Sequence, residues 1–254
     1  MKLGFVTYQI AKDWDAATLI EKCNELGYQG VEVRATHAHG IEPSLSAQER
    51  QDIRKQFEDG GVEIAGIGSI HEYHSDDPAI VRENIAATIE SAKLAADIGC
   101  PGVKVRPNGL QLDKGIPEEQ TLEQIGKAVG ECAAAAADLG VQIRVEVHGR
   151  ETKRPDRMRT IMDHANHDNA YVCWNSDFGE VEDGSIQNNF DLLKNKIGLV
   201  HITELWKTEY PWRQLFSLLK AENYSGYTLA EIPGNDDADR ILRYYKALWD
   251  AYTS

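Results

Sequence analysis

Residues 138–148 read "DLGVQIRVEVH", and the fold turns on this stretch. Val141, Ile143, Val145 and Val147 alternate with Gln142, Arg144, Glu146 and His148. Successive side chains of a strand point to opposite faces, so the stretch is a strand with one apolar and one polar face. Gly140 separates it from a helix-like run containing Ala133–Ala137, and glycine accepts the left-handed conformation in which helices end. The same join recurs upstream as "ELGYQGVEV" (25–33), "DGGVEIAGI" (59–67) and "DIGCPGVKV" (97–105).

Working outward from these joins, eight strands are expected: Leu3–Thr7, Gly30–Arg34, Val62–Gly68, Gly102–Arg106, Val141–His148, Tyr171–Asn175, Gly198–Thr203 and Tyr227–Ile232. Each is short and rich in β-branched or aromatic residues. Helices are expected at Trp14–Leu26, Ser46–Asp59, Pro78–Ile98, Pro117–Leu139, Arg157–Ala165, Ile186–Lys196, Pro211–Glu222 and Asp236–Ala251. Strands alternating with helices through short joins imply a parallel sheet. Eight such units in 254 residues, with no linker or low-complexity segment, imply one α/β domain spanning 1–254, a single (β/α)8 TIM barrel. An open doubly wound sheet is the competitor, but "VTYQIAKD" (6–13) lacks the glycine-rich turn such sheets usually carry after the first strand.

In a barrel the helices cover the outside, so the apolar faces point outward and the polar faces inward. That puts Glu32 and Arg34, Lys104 and Arg106, Arg144, Glu146 and His148, His201 and Glu231 on the inner side of their strands. Barrel interiors are normally packed with branched apolar side chains. Ionisable groups there are costly unless they pair or bind something. Glu32, Arg34, Lys104 and Arg144 fit a structural ion network as well as a substrate role. The histidines follow the same geography. His37 and His39 come after the second strand, His71 and His74 after the third, and barrel chemistry sits on the loops after the strands. His39 and His74 read as solvated loop residues.

The net charge of −14 opposes binding to phosphate backbones, so no nucleic-acid partner is expected. No stretch reaches the roughly 18 apolar residues of a membrane helix, and no leader pattern precedes Leu3. Cys23, Cys100, Cys132 and Cys173 show no CxxC spacing and read as reduced, buried thiols. A cytoplasmic protein is the expectation, and assembly into a homo-oligomer is compatible with it.

The chain resembles the xylose isomerase-like TIM barrels, the sugar phosphate isomerase/epimerase group. The resemblance rests on "GYQGVEVR" (27–34), "VEVHG" (145–149), "VCWNSDFG" (172–179), "LVHITEL" (199–205) and "LAEIPG" (229–234). It implies one divalent metal ion (Mn, Mg, Co or Zn) held by Glu146, a sixth-strand residue, His201 and Glu231. Carboxylate oxygens and one imidazole suit such ions. It also implies that Glu146 and Glu231 are both ligands and the acid/base pair, one carboxylate on each face of the sugar. Where the family reads Asp-Thr-x-His after the sixth strand, this chain has Asn175-Ser176-Asp177-Phe178, which leaves Asn175 and Asp177 as alternative ligands. Arg34, His37, His71, Lys104, Arg106 and His148 are the expected substrate-binding residues, for a sugar or polyol that can carry a phosphate or carboxylate. The implied activity is an aldose–ketose isomerase or ketose epimerase. An inosose-type dehydratase begins with the same proton abstraction. A DNA-repair endonuclease of the same barrel is disfavoured by the acidic chain, and a non-catalytic sugar-binding barrel is the alternative that Asn175 and Phe178 leave open.

Overall fold

A computed structural model describes residues 1–254. Eight parallel strands close into a barrel in sequence order, β1 beside β8. They are β1 (Lys2–Val6), β2 (Gly30–Arg34), β3 (Glu63–Glu72), β4 (Gly102–Arg106), β5 (Gln142–Glu146), β6 (Ala170–Asn175), β7 (Ile197–Ile202) and β8 (Tyr227–Ala230). The intervening helices are α1 (Ala16–Leu26), α2 (Ala47–Gly60), α3 (Pro78–Asp97), α4 (Glu118–Ala137), α5 (Pro155–Ala165), α6 (Gln187–Leu193), α7 (Trp212–Ala221) and α8 (Ala238–Thr253). The expected (β/α)8 architecture is therefore present, and each expected element has its counterpart.

Two boundary shifts bear on the site. β3 runs on to Glu72, with a register irregularity against β4 between Gly68 and Glu72. α5 starts at Pro155, earlier than expected, because proline is tolerated where a first-turn N–H needs no partner. No helix is long and apolar enough to cross a membrane, and all four cysteines are buried and unpaired.

The outward faces of the strands, including Val31, Val33, Val103, Val105, Ile143, Val145, Val200 and Ile202, belong to one cluster of 60 buried residues formed with the helices. A separate cluster of six (Val6, Ala65, Cys173, Leu199, Tyr227 and Leu229) has the opposite strand parity and fills part of the barrel interior. The rest of that interior is charged: Glu32, Lys104, Arg144, Glu146 and His201 are all at least 95% buried. Glycines make this possible. A Cβ on Gly68 would stand 2.6 Å from Glu32 Oε1, and one on Gly102 would stand 2.6 Å from Arg144 Nε. β3 and β4 thus give up side chains where carboxylate and guanidinium need the space.

Gly68→Ala puts a methyl group into that space. Overpacking of a buried site typically costs about 1–3 kcal/mol, which for a chain of this size is a fall in Tm of roughly 2–10 °C. Thermal unfolding measures it, and an unchanged Tm would show that Glu32 can yield to the methyl without loss.

Candidate functional site

The site is assembled around His201. This residue lies on β7 with no exposed surface. Its Nε2 is 3.1 Å from Glu32 Oε2, reaching across from β2. Its Nδ1 is 3.3 Å from Glu146 Oε1 at the end of β5 and 3.4 Å from Glu231 Oε2, one residue beyond β8. Backbone bonds set these positions. Glu231 N donates to Ile202 O at 2.9 Å, and Asn175 pairs in register with His201. Ser176 N donates to His201 O, while Thr203 N donates back to Ser176 Oγ at 3.0 Å, tying the ends of β6 and β7 together.

Glu146 is held from three sides. Lys104 Nζ donates to Oε2 at 2.7 Å, Asn175 Nδ2 donates to Oε1 at 3.3 Å, and His201 faces Oε1. Burial opposes the charge on Glu146, but Lys104 and His201 outweigh it and hold the carboxyl well below its usual range. Burial likewise opposes the charges on Lys104 and His201, and their neighbours win. Glu146 and Glu32 raise Lys104. Cys173, Glu32 and Glu231 raise His201 well above the usual imidazole range. The site therefore attracts positive charge.

Glu146, His201 and Glu231 offer ligand atoms that all lie within 4.8 Å of one another. His201 Nδ1 is buried and has no hydrogen-bond partner. When Nε2 carries the proton and donates to Glu32, Nδ1 turns a lone pair toward two carboxylates, an arrangement that repels unless a cation stands between them. A carboxylate on the far nitrogen is also what fixes the tautomer of metal-ligating histidines. The donor set fits a divalent cation.

Beside this cluster opens a cavity of about 360 Å³, lined by His148, Asn175, Asp177 and Glu231 among others. That is a size suited to a small polar ligand. Of the two sixth-strand candidates, the structure brings Asn175 to the cluster. The strand ends there, and Asp177 turns away to accept from Gly179 N at 2.8 Å and to pair with Lys153 at 3.1 Å.

The residues expected to bind substrate divide. Only His148 lines the cavity. Lys104 is spent on Glu146, and Arg106 pairs with Glu72 at 2.5 Å. His71 directs Nδ1 to Thr88 Oγ1 of α3 at 3.1 Å. His37 takes a 2.8 Å bond with Thr7 Oγ1 and stacks on Tyr8. Arg34 makes no ion pair; it lies over the Tyr8 ring, 5.7 Å from its centroid. His39, expected to be solvated, is buried between Arg34 O and Ile41 N.

Sequence reasoning did not find Tyr8, Thr203, Glu204 and Lys207, which line the cavity. Nor did it separate Glu32 from a structural ion network. An inward acidic residue facing an inward histidine was the available signal.

The chain belongs to the xylose isomerase-like TIM barrel family, whose model matches residues 20–248. No protein of curated function matches it in sequence. Among solved structures, it is similar to D-psicose 3-epimerase from Clostridium cellulolyticum H10, crystallised with D-tagatose, at 18% identity, TM-score 0.84 and complete coverage of both chains. It is similar to the 3-keto-D-glucoside 4-epimerase YcjR of E. coli at 14% identity and TM-score 0.82, with 99% of each chain covered. The IOLI protein with a bound zinc atom is similar at 17% identity and TM-score 0.81, with 100% of this chain and 98% of that one covered. At these identities the likeness is one of fold.

Burial and the charge of Arg106 push His71 down to about 4, against about 6.5 in an unfolded chain. The unfolded state therefore takes up the proton first as pH falls. The stability involved is present above pH ~6.5 and is lost as pH drops toward ~4. Denaturant midpoints measured from pH 7 to 4 are expected to decline less steeply in His71→Gln than in the parent. Identical slopes would place the acid sensitivity elsewhere.

Proposed function

We propose that the protein is a metal-dependent sugar isomerase or epimerase, acting on a sugar or polyol that carries a carbonyl beside a carbinol carbon. The carrying observation is the convergence of Glu146, His201 and Glu231 around an unpartnered, buried Nδ1 at the mouth of a barrel. Support comes from the neighbouring folds, which include sugar 3- and 4-epimerases and, in one case, a protein with a bound zinc atom.

On this reading Glu146, His201 and Glu231 would hold the ion, and Asn175 would join them with its amide turned to present oxygen. A divalent ion held there would supply Lewis-acid polarisation of the substrate carbonyl, which acidifies the adjacent C–H. The chain's own residues do the rest. Glu32 keeps the proton on His201 Nε2. Lys104 fixes Glu146. Glu231, with its side chain 20% exposed and reaching the cavity, moves the substrate proton. Arg34, free of any carboxylate partner, lies behind the cavity wall over the ring of Tyr8, where its charge favours an electron-rich substrate.

Glu231→Gln preserves shape and removes the base, and general-base contributions are typically about 10²–10⁴-fold. Deuterium uptake from D2O into the carbon beside the carbonyl of D-fructose or D-tagatose, followed by NMR, is expected in the parent and reduced by at least about 10²-fold in the variant. Chelation of metal should abolish it. A protein that binds no divalent ion and exchanges no proton in either sugar would be a non-catalytic barrel instead.

Asn175→Asp adds a negative charge to the ligand set and is expected to tighten divalent-ion binding in a calorimetric titration. Asp177→Asn, which loosens Lys153 instead, should leave it unchanged. The reverse pattern would make Asp177 the ligand.

A further inference from the structure

The cavity and its rim differ in chemistry. Inside, only two of the twelve lining residues are hydrophobic. Just outside stand two exposed aromatic rings, Trp206 at 64% and Phe178 at 51%. Neither lines the cavity, but each adjoins residues that do. Asp177 precedes Phe178, and Trp206 lies between Glu204 and Lys207. The Lys207 ammonium stands over the Trp206 ring, 5.8 Å from its centroid, and pairs with Glu204 at 3.2 Å. The indole is therefore tied to the cavity wall through a side chain that forms part of it.

The loop that displays Trp206 is fixed in place. Leu205, Tyr210 and Trp212 around it are buried, and the Tyr210 and Trp212 rings pack 4.4 Å apart. Trp212 Nε1 donates to Lys207 O at 2.7 Å, and Lys207 N donates to Glu204 O at 3.1 Å, closing the turn. The loop after β6 is locked to it. Tyr210 Oη donates to the buried Glu180 Oε2 at 2.7 Å, and Phe178 meets the Tyr210 ring edge-on at 6.4 Å. A turn that buries its other apolar residues and holds one indole in water presents that indole to a ligand with little left to order on binding. Two such rings offer at most about 500 Å² between them. A stable protein interface needs roughly 800 Å² from each partner, so a small molecule is the fitting occupant. A sugar ring suits it, since its C–H face can lie on the indole while its hydroxyl edge stays in water.

We propose that Trp206, flanked by Phe178, forms a second sugar subsite, so that the substrate is a glycoside or disaccharide whose reacting unit sits in the cavity and whose other ring stacks on the indole. The inference rests on the isomerase/epimerase reading above and narrows its substrate class. Inside the cavity, polar groups such as Asn175, Ser176, Thr203 and Glu204 meet the hydroxyls of the reacting unit. The indole stands outside that lining, so only a group projecting from the cavity reaches it. That group is a neutral one. Lys207, beside Trp206, is already paired with Glu204, and Lys153 is paired with Asp177 next to Phe178. Neither ammonium is left over for a projecting phosphate or carboxylate.

The test measures binding of D-fructose, lactulose and isomaltulose by calorimetry in the presence of Mn2+. Each disaccharide is a fructose unit bearing one further hexose. The parent is expected to bind at least one disaccharide about tenfold more tightly than fructose, the increment of one well-buried aromatic anchor. Trp206→Ala should lose that advantage while holding fructose affinity within about twofold of the parent. Trp206→Phe, which keeps an aromatic face, should retain most of it. Equal weakening of fructose and disaccharides in Trp206→Ala would put the indole in the monosaccharide site or in the fold, and the proposal would be wrong. Disaccharides that bind the parent no more tightly than fructose overturn it as well. Sedimentation velocity is run on the same samples, and a parent dimer that Trp206→Ala turns into a monomer would assign the indole to a second copy of the chain and overturn the subsite. Fructose binding with no disaccharide advantage sinks the subsite alone. A parent that binds none of the three sugars takes the isomerase/epimerase reading down with it.

Discussion

A histidine with no exposed surface, clamped between Glu32 on one nitrogen and two carboxylates facing the other, is the constraint on which the rest of the molecule depends. Stripped of water, an imidazole and three carboxylates cannot coexist unless each charge meets an opposite charge or a donor. Lys104 answers Glu146, and His201 answers Glu32. Glycines at 66 and 68 clear room for the Glu32 carboxylate. The barrel gives up part of its apolar filling to accommodate this, keeping six apolar residues inside and leaving most of its hydrophobic burial to the shell between strands and helices.

The same clamp settles chemistry through hydrogen-bond direction. Glu32 can only accept, so Nε2 keeps its proton whether the ring is charged or neutral, and a cation that displaces the Nδ1 proton would meet a lone pair facing Glu146 and Glu231. Without Glu32 the ring could present a proton where a ligand is wanted. This makes a residue on β2, remote from the cavity, as consequential for the site as the residues that line it.

The barrel was legible because its signals are local and repeated: period-two alternation, a glycine at each of the first four helix-to-strand joins, and short connections. The inward parity of Glu146, His201 and Glu231 was legible for the same reason, since a strand side chain one residue out of step would point to the opposite face. Parity fails where regular structure stops. Asp177 shares the parity of Asn175, but the strand ends at Asn175, and a carboxylate just past it is drawn to the free N–H of Gly179 and to Lys153. His71 and Arg106 stand beside the irregularity in β3, and there side-chain direction follows the partners at hand, Thr88 and Glu72. Depth along a strand is also invisible to alternation, which is why Glu32 and Lys104 read as equally suited to structure and to substrate. The cavity residues Tyr8, Thr203 and Lys207 lie in loops that no periodicity addresses.

The departure at Asn175 makes sense only when the neighbouring charges are counted. In direct contact around His201 are three carboxylates (Glu32, Glu146 and Glu231) and one ammonium, Lys104. Arg144 is engaged elsewhere, on Ala65 O and Gln142. With the Nδ1 proton displaced and the imidazole neutral, the cluster carries two uncompensated negative charges, which one divalent cation would balance. An aspartate at 175 would leave the loaded cluster negative in a buried setting, and loss of Lys104 would do the same. A neutral amide at 175 and an ammonium at 104 are thus two parts of one adjustment. Its consequence is that Glu146 is held as a fixed anion.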